Sequence, residues 1–277
     1  MAEPPVPRPR FHDLVTADGT PYHRIARMPE AGLVTSTVVQ TCVRYAEPDR
    51  CRFCAIEEPL REPDGTLPVK RPAQLAEAVR AAVRLDGADR VSLTTGTGAG
   101  PDRGARYLAR CVRAIRAAIG PAVPIQVTCE PPADLAALGL LREAGTTAIG
   151  MNVETLDDRL RRRWLPGKAR VPLAQYEAAW EHGVRVFGRD HVSTCLLVGL
   201  GERPADLIEG ARRLVARGVH PFVVPLRPIP GTLAHRDGLT EPPPARVAMI
   251  TEAVDALLAA HGLAGGAGMP RRAAAVG

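Results

Sequence analysis

The feature that most constrains this 277-residue chain is an alternation, repeated six times, between short β-branched runs and amphipathic helical segments. The runs lie at residues 36–40, 90–95, 124–129, 148–153, 192–198 and 222–226. Each is short and rich in Val, Ile, Leu and Thr, as a strand buried on both faces requires. Between them, PAQLAEAVRAAVRL places Leu75, Val79, Ala82 and Val83 on one face, and GARYLARCVRAIRAAIG does the same with Leu108, Cys111, Val112 and Ile115. ADLAALGLLREAG, PLAQYEAAWEHG, PADLIEGARRLVARG and PARVAMITEAVDALLAAHG follow. Most begin after Pro and end at Gly, the asymmetry of helix starts and stops. Strand followed by helix, six times over, predicts a parallel sheet with right-handed crossovers, an α/β fold of the partial (β/α)6 TIM-like kind.

Domain limits follow from composition. Residues 1–35 are rich in Pro and polar residues and predict an irregular N-terminal segment. Residues 36–262 form the barrel, and the Gly/Ala/Arg-rich residues 263–277 predict a disordered tail. No run approaches the ~18 apolar residues of a membrane helix, and the opening MAEPPVPRPRF has no apolar core, so the expectation is a cytoplasmic protein without a membrane partner. The formal charge of +6 is carried by Arg scattered along helices, and aromatics are only 4%. Basic runs interleaved with aromatics are missing, which argues against nucleic-acid binding.

Of six cysteines, Cys42, Cys51 and Cys54 cluster within thirteen residues just after the first predicted strand, while Cys111, Cys129 and Cys195 stand alone. Thiolates are soft ligands suited to iron–sulfur clusters or zinc. A structural zinc ion normally takes four protein ligands, and no His or Cys follows at finger spacing. Three cysteines leave one iron of a [4Fe-4S] cube open. In parallel α/β folds the chemistry collects at the C-terminal strand ends. Three further stretches fall there. A Gly-rich turn, Thr95-Gly96-Thr97, follows the second strand. Asn152 and Glu154 share one side at the end of the fourth, by period-two alternation, although a carboxylate there also suits a helix N-cap. VGLGE, containing Gly199, closes the fifth.

The ordered set resembles the radical S-adenosylmethionine (SAM) superfamily, whose cluster loop ends in Cys-x-aromatic-Cys, here Cys51-Arg52-Phe53-Cys54. NVETLDDRLRRRWLPG, VGLGE and PLRPIPGT are similar to stretches of lipoyl and biotin synthases, so that the likeness runs from about Thr35 to His261. The chain also resembles the radical SAM proteins of actinobacterial nitrilase gene clusters and the split two-protein lipoyl synthases of archaea. The spacing departs from the family's, eight residues then two in place of three then two. The longer loop is free to bulge outward, because doubling a flexible loop costs only about 0.6 kcal/mol.

The resemblance implies a radical SAM barrel with two cofactors, a [4Fe-4S] cluster on Cys42, Cys51 and Cys54, and SAM. It implies that Phe53 packs beside the adenine, Gly96 with Thr95 and Thr97 meets the methionine amino group, and Asn152 and Glu154 contact the ribose. Arg159 or Arg163 then faces the methionine carboxylate, and Gly199 lies in a loop near SAM. The implied activity is reductive SAM cleavage to a 5′-deoxyadenosyl radical that abstracts hydrogen from a small-molecule substrate, with flavodoxin or ferredoxin as electron donor. Ser92 and Ser193 fall where biotin synthase carries cysteines for a second cluster, whereas Cys129 matches its remaining cysteine and Cys195 lies two residues along. Residues 1–41 hold no cysteine, so lipoyl synthase's N-terminal triplet has no counterpart. Rearrangement, epimerisation or oxidation is therefore favoured over sulfur insertion, alone or with a partner protein. The rivals are a non-catalytic barrel subunit and a zinc-stabilised TIM-like hydrolase.

Overall fold

Helices that each cover a sheet face and return the chain to the same end force neighbouring strands to run parallel, and the computed structural model, which describes residues 8–265, shows this arrangement. The elements are β1 (Arg27–Glu30), β2 (Leu33–Thr37), α1 (Pro72–Asp86), β3 (Arg90–Thr94), α2 (Ala105–Ile119), β4 (Ile125–Thr128), α3 (Ala136–Glu143) and β5 (Ala148–Gly150). There follow α4 (Asp158–Trp164), α5 (Leu173–Phe187), β6 (Val192–Val198), α6 (Pro204–Ala216), β7 (Val219–Pro225), α7 (Leu233–Arg236) and α8 (Pro244–Ala260). One seven-stranded sheet takes the order β1 to β7, antiparallel only between β1 and β2, and curls into an open half-barrel. Among the described residues no helix is long and apolar enough to cross a membrane.

The boundaries move where pairing outweighs local pattern. The first parallel strand begins at Leu33, because Leu33 and Val34 pair with Arg90 and Val91. Residues Val38–Lys70 are then tied by Val39 bridging Val69, outside the sheet proper. The segment expected to be irregular up to residue 35 contains β1 and the start of β2; residues 1–7 lie outside those described. β7 starts three residues earlier than expected and contains Pro221 and Pro225, tolerable on an edge strand that pairs only with β6. β5 ends at Gly150, after which the chain rejoins the sheet through a single bridge, Glu154 to Leu196. At the other end Leu263 is buried in the core and Ala264 donates its N–H to Asp190, so the barrel extends past residue 262; residues 266–277 lie outside those described.

The core forms between the outer sheet face and the helices. α1 starts on Pro72 and ends on Gly87 in the left-handed region, and it buries Leu75, Ala78, Val79 and Ala82. α2 buries Leu108, Cys111, Val112 and Ile115, the spacing of one helical stripe. Trp180 on α5 is almost fully buried, and its indole N–H donates to the Met151 carbonyl at 3.1 Å, holding α5 against the end of β5. Trp180→Ala should therefore cost about 3–5 kcal/mol, read as a lower denaturant midpoint at unchanged slope.

Candidate active site

The C-terminal strand ends open into a cavity of about 670 Å³ that continues into the barrel lumen. Cys42, Cys51 and Cys54 all line it, and so do Phe53, Asn152 and Glu154. The thiols come from one loop that is held from several sides. Cys42 N donates to Glu57 Oε1 at 2.9 Å, Arg52 N to the Trp164 carbonyl at 2.9 Å, and the Arg50 guanidinium to the Cys54 carbonyl at 3.0 Å. Burial pushes the Cys54 thiol up to about 11 and raises Cys51 further, so both need a positive metal centre to stabilise the thiolate. Among the described residues no three Cys, His, Asp or Glu side chains stand close enough to share one metal ion. A cube takes one thiolate at each of three irons and requires no such convergence.

Of the eight residues between Cys42 and Cys51, Val43, Ala46, Glu47 and Pro48 are exposed, while the rest of the loop is tied down. It docks on the segment after α4, where the Gly167 N–H donates to the Asp49 carbonyl at 3.1 Å, Arg170 pairs with Asp49 at 2.6 Å, and Arg44 donates to the Gly167 carbonyl. Arg236 on α7 reaches back to Glu47 at 2.9 Å. Gly96 fits against this loop for a steric reason: a Cβ there would collide with the Thr41 carbonyl, and Gly96 N–H donates to the Val39 carbonyl at 2.8 Å. Its N–H is thus spent inside the protein, while Thr95 and Thr97 also line the cavity.

Two buried carboxylates face the mouth. Glu130 is gripped by Arg44 through two bonds of 2.7 and 2.9 Å and accepts a third from Thr97 Oγ1 at 3.2 Å. Glu154 accepts from Lys168 Nζ at 3.0 Å, while its Oε2 is buried without any partner. Its backbone sits at φ +66°, in the left-handed region, which for a non-glycine residue costs about 1 kcal/mol or more. Leu197 N donates to the Glu154 carbonyl and Glu154 N to the Cys195 carbonyl, so the sheet enforces this conformation. Burial opposes the charge on Lys168, but Glu154, the most strongly coupled of the negative groups around it, and its neighbours overcome that and raise its pKa. An unmet carboxylate oxygen and the Asn152 amide, on one cavity with three thiols, fit a cluster with a polar organic ligand next to it.

Other expected positions separate. Arg163 projects into solvent on the outer side of α4, over the Trp164 ring, and Arg159 is likewise exposed. α4 turns this face outward because Leu160, Arg161 and Trp164 are the residues that it buries. Gly199 stays outside the cavity, where its N–H donates to the Glu202 carboxylate, itself paired with Arg246 at 2.8 Å. Phe53 packs into an apolar cluster with Trp164, Leu197 and Leu226 while still meeting the cavity. Cys129 and Cys195 also face the cavity, and burial pushes the Cys129 thiol up to about 12. Lys168, Glu130 and Arg44 were not expected from the sequence. Only the proximity of Arg44 to Cys42 offered a signal, whereas Lys168 follows a Pro-Gly turn with no periodic pattern.

One further lysine meets the cavity. Lys70 is 1% exposed, and its Nζ donates to Gln40 Oε1 at 2.8 Å and to the Leu67 carbonyl at 3.0 Å. Burial, aided by nearby Arg27, pushes its pKa down to about 7. The unfolded chain keeps this proton up to about pH 10.4 and so binds more protons than the folded state between these values. The stability of the protein relative to Lys70→Met should therefore rise as pH goes from about 7 to about 10. Denaturant unfolding at each pH reads this difference, and a flat profile contradicts a neutral buried amine.

The family model described as "Radical SAM superfamily" matches residues 47–214. Over 192 residues the chain is 31% identical to the lipoyl synthase of Thermus thermophilus, which covers 66% of this chain and 55% of that protein. Over 166 residues it is 31% identical to the lipoyl synthase of Halorhodospira halophila, covering 57% and 45%. The chain thus spans about half the length of these curated relatives. The crystal structure of methylornithine synthase superposes with a TM-score of 0.60 at 18% identity, over 79% of this chain and 62% of that one, a likeness of fold. A match over more than half of the chain, on a half-barrel with three cysteines at its mouth, places this protein in the radical SAM superfamily of enzymes, whose cofactors are a [4Fe-4S] cluster and S-adenosylmethionine.

Proposed function

We propose that Cys42, Cys51 and Cys54 hold the [4Fe-4S] cluster and that the adjoining cavity takes SAM and then a small-molecule substrate. The observation that carries this reading is the presence of three thiols and the unpartnered Glu154 Oε2 on one cavity. When bound, the cluster and SAM supply an electron and a 5′-deoxyadenosyl radical that abstracts hydrogen from the substrate. The chain's own residues bind, orient and shield. Glu154 Oε2 accepts a ribose hydroxyl, and Lys168 holds the carboxylate in place through its other oxygen. Asn152 supplies an amide on the same side, and Thr95 and Thr97 stand where the methionine end lies. Phe53 and the apolar cluster behind it keep water from the adenine side. A one-electron donor of the flavodoxin or ferredoxin class completes the cycle from outside.

With one cluster the favoured outcomes are rearrangement, epimerisation or oxidation. Sulfur insertion has one observation in its favour, the two further thiols of Cys129 and Cys195 on the same cavity. Iron and sulfide analysis separates the readings: ~4 Fe per chain supports the first, and a clear excess bound through Cys129 and Cys195 the second.

Anaerobically reconstituted protein given SAM and dithionite should release 5′-deoxyadenosine. Ala at residue 42, 51 or 54 should abolish both the brown chromophore and that product. Wild type with no iron chromophore and no product sinks the proposal. Glu154→Gln should weaken SAM binding about tenfold or more, the loss of a charged hydrogen bond, whereas Arg163→Ala should leave it unchanged. Calorimetry with SAM checks both.

A further inference from the structure

The lumen of a parallel α/β barrel is ordinarily filled by branched apolar side chains. Here the inward positions carry hydroxyls and an amide. Strand register aligns Thr35 with Ser92 and Ser92 with Gln126. One rung closer to the mouth it aligns Thr37, Thr94, Thr128, Gly150 and Ser193. All seven side chains line the cavity, while the alternate residues Val34, Val91, Leu93, Ile125 and Val127 face the helices and fill the core. Gly150 allows the rung to close, because a Cβ there would lie 2.8 Å from Thr128 Oγ1 and 3.3 Å from Ser193 Oγ.

The protein satisfies only part of this polar surface. Thr37 and Thr94 share a bond of 2.9 Å, and Gln126 Nε2 donates weakly to Ser193 Oγ at 3.4 Å. Gln126 Oε1 is buried with no partner at all, on a residue 4% exposed. Buried acceptors are rarely left unmet, and this one lies at the floor of an open cavity.

A second side of the same cavity is cationic. Arg24, Arg27 and Lys70 line it, and among the described residues none of the three is in an ion pair. The neighbouring acids are engaged elsewhere, Glu30 with Arg90 and Asp64 with His23. Arg24 Nε is buried without a partner. Lys70 Nζ has two protein acceptors; in the ammonium form, which an anion placed beside it favours, the third proton is left for that ligand.

We propose that this cavity binds, as substrate, a small polar anion, its anionic group against Lys70, Arg24 and Arg27 and one hydroxyl or N–H donated to Gln126 Oε1. The class is a hydroxylated or amide-bearing carboxylate or phosphate ester. An aliphatic acyl chain is excluded, since it would bury the hydroxyl rungs and Gln126 Oε1 against carbon. The inference rests on the reading of this cavity as the substrate chamber of a radical enzyme.

The test is isothermal titration calorimetry on anaerobically reconstituted holoprotein with SAM and no reductant. The probes are D-gluconate, glycerol 3-phosphate and, as the aliphatic control, octanoate. At least one of the two polar anions should bind ten times or more tighter than octanoate, and the preferred one tells carboxylate from phosphate. Gln126→Leu and Lys70→Met should each weaken that binding about tenfold, with Lys70→Arg recovering part of the loss. Octanoate binding as tightly, neither polar anion binding, or both variants retaining wild-type affinity overturns the inference. The contrast among probes uses wild-type protein and stands even if a variant fails to fold. Heat is read whether or not SAM is cleaved, so a protein that binds the anion yet releases no 5′-deoxyadenosine overturns the radical reading alone.

Discussion

Two carboxylates at the barrel mouth are removed from water, and the rest of the site is arranged around the cations that neutralise them. A buried carboxylate left alone would cost several kcal/mol, so each demands a partner whose position is thereby fixed. Glu130 takes Arg44, which belongs to the cysteine loop and also bonds the Gly167 carbonyl. Glu154 takes Lys168, one residue beyond that glycine. The loop bearing the thiols, the segment after α4 and the ends of β4 and β5 are therefore joined through two charge pairs. Removing Lys168 would leave the Glu154 carboxylate without a cation, whereas Glu130 would keep Arg103 at 3.5 Å on losing Arg44.

Much of this fold was legible in sequence because its signals are local. Pro72, Gly87 and the Leu75–Val79–Ala82 stripe mark α1 without reference to anything distant. The fifth predicted strand, residues 192–198, coincides with β6, since seven consecutive buried residues leave no ambiguity of face. Errors arose where distant pairing sets the boundary. Leu33 and Val34 sit next to polar residues and become strand only because β3 lies beside them. Pro221 argues locally against a strand, yet the edge position of β7 absorbs it.

The site divides in the same manner. The three cysteines, Phe53, Asn152 and Glu154 reach one cavity because strand ends gather them, as their positions in the alternation imply. Arg163 lies in a stretch similar to the family's, but the burial of Leu160, Arg161 and Trp164 on α4 turns it outward. Lys168 and Glu130 were missed because a charged residue in a turn has no pattern until its partner is known. The left-handed backbone of Glu154 is likewise invisible in sequence, since it is imposed by two hydrogen bonds from the neighbouring strand.

The wall that carries Arg24 and Arg27 belongs to no strand–helix unit. It is the N-terminal stretch through β1, the antiparallel strand at the edge of the sheet beside β2. The mutual pairing of the strands from β2 to β7 does not pass through it, although Ile25, Ala26 and Met28 join the core behind them. The cationic wall and the hydroxyl rungs of the strands thus meet the same cavity from different parts of the chain. Exchanging side chains on this stretch alters the charge of one cavity wall while the parallel pairing of the strand ends stays as it is.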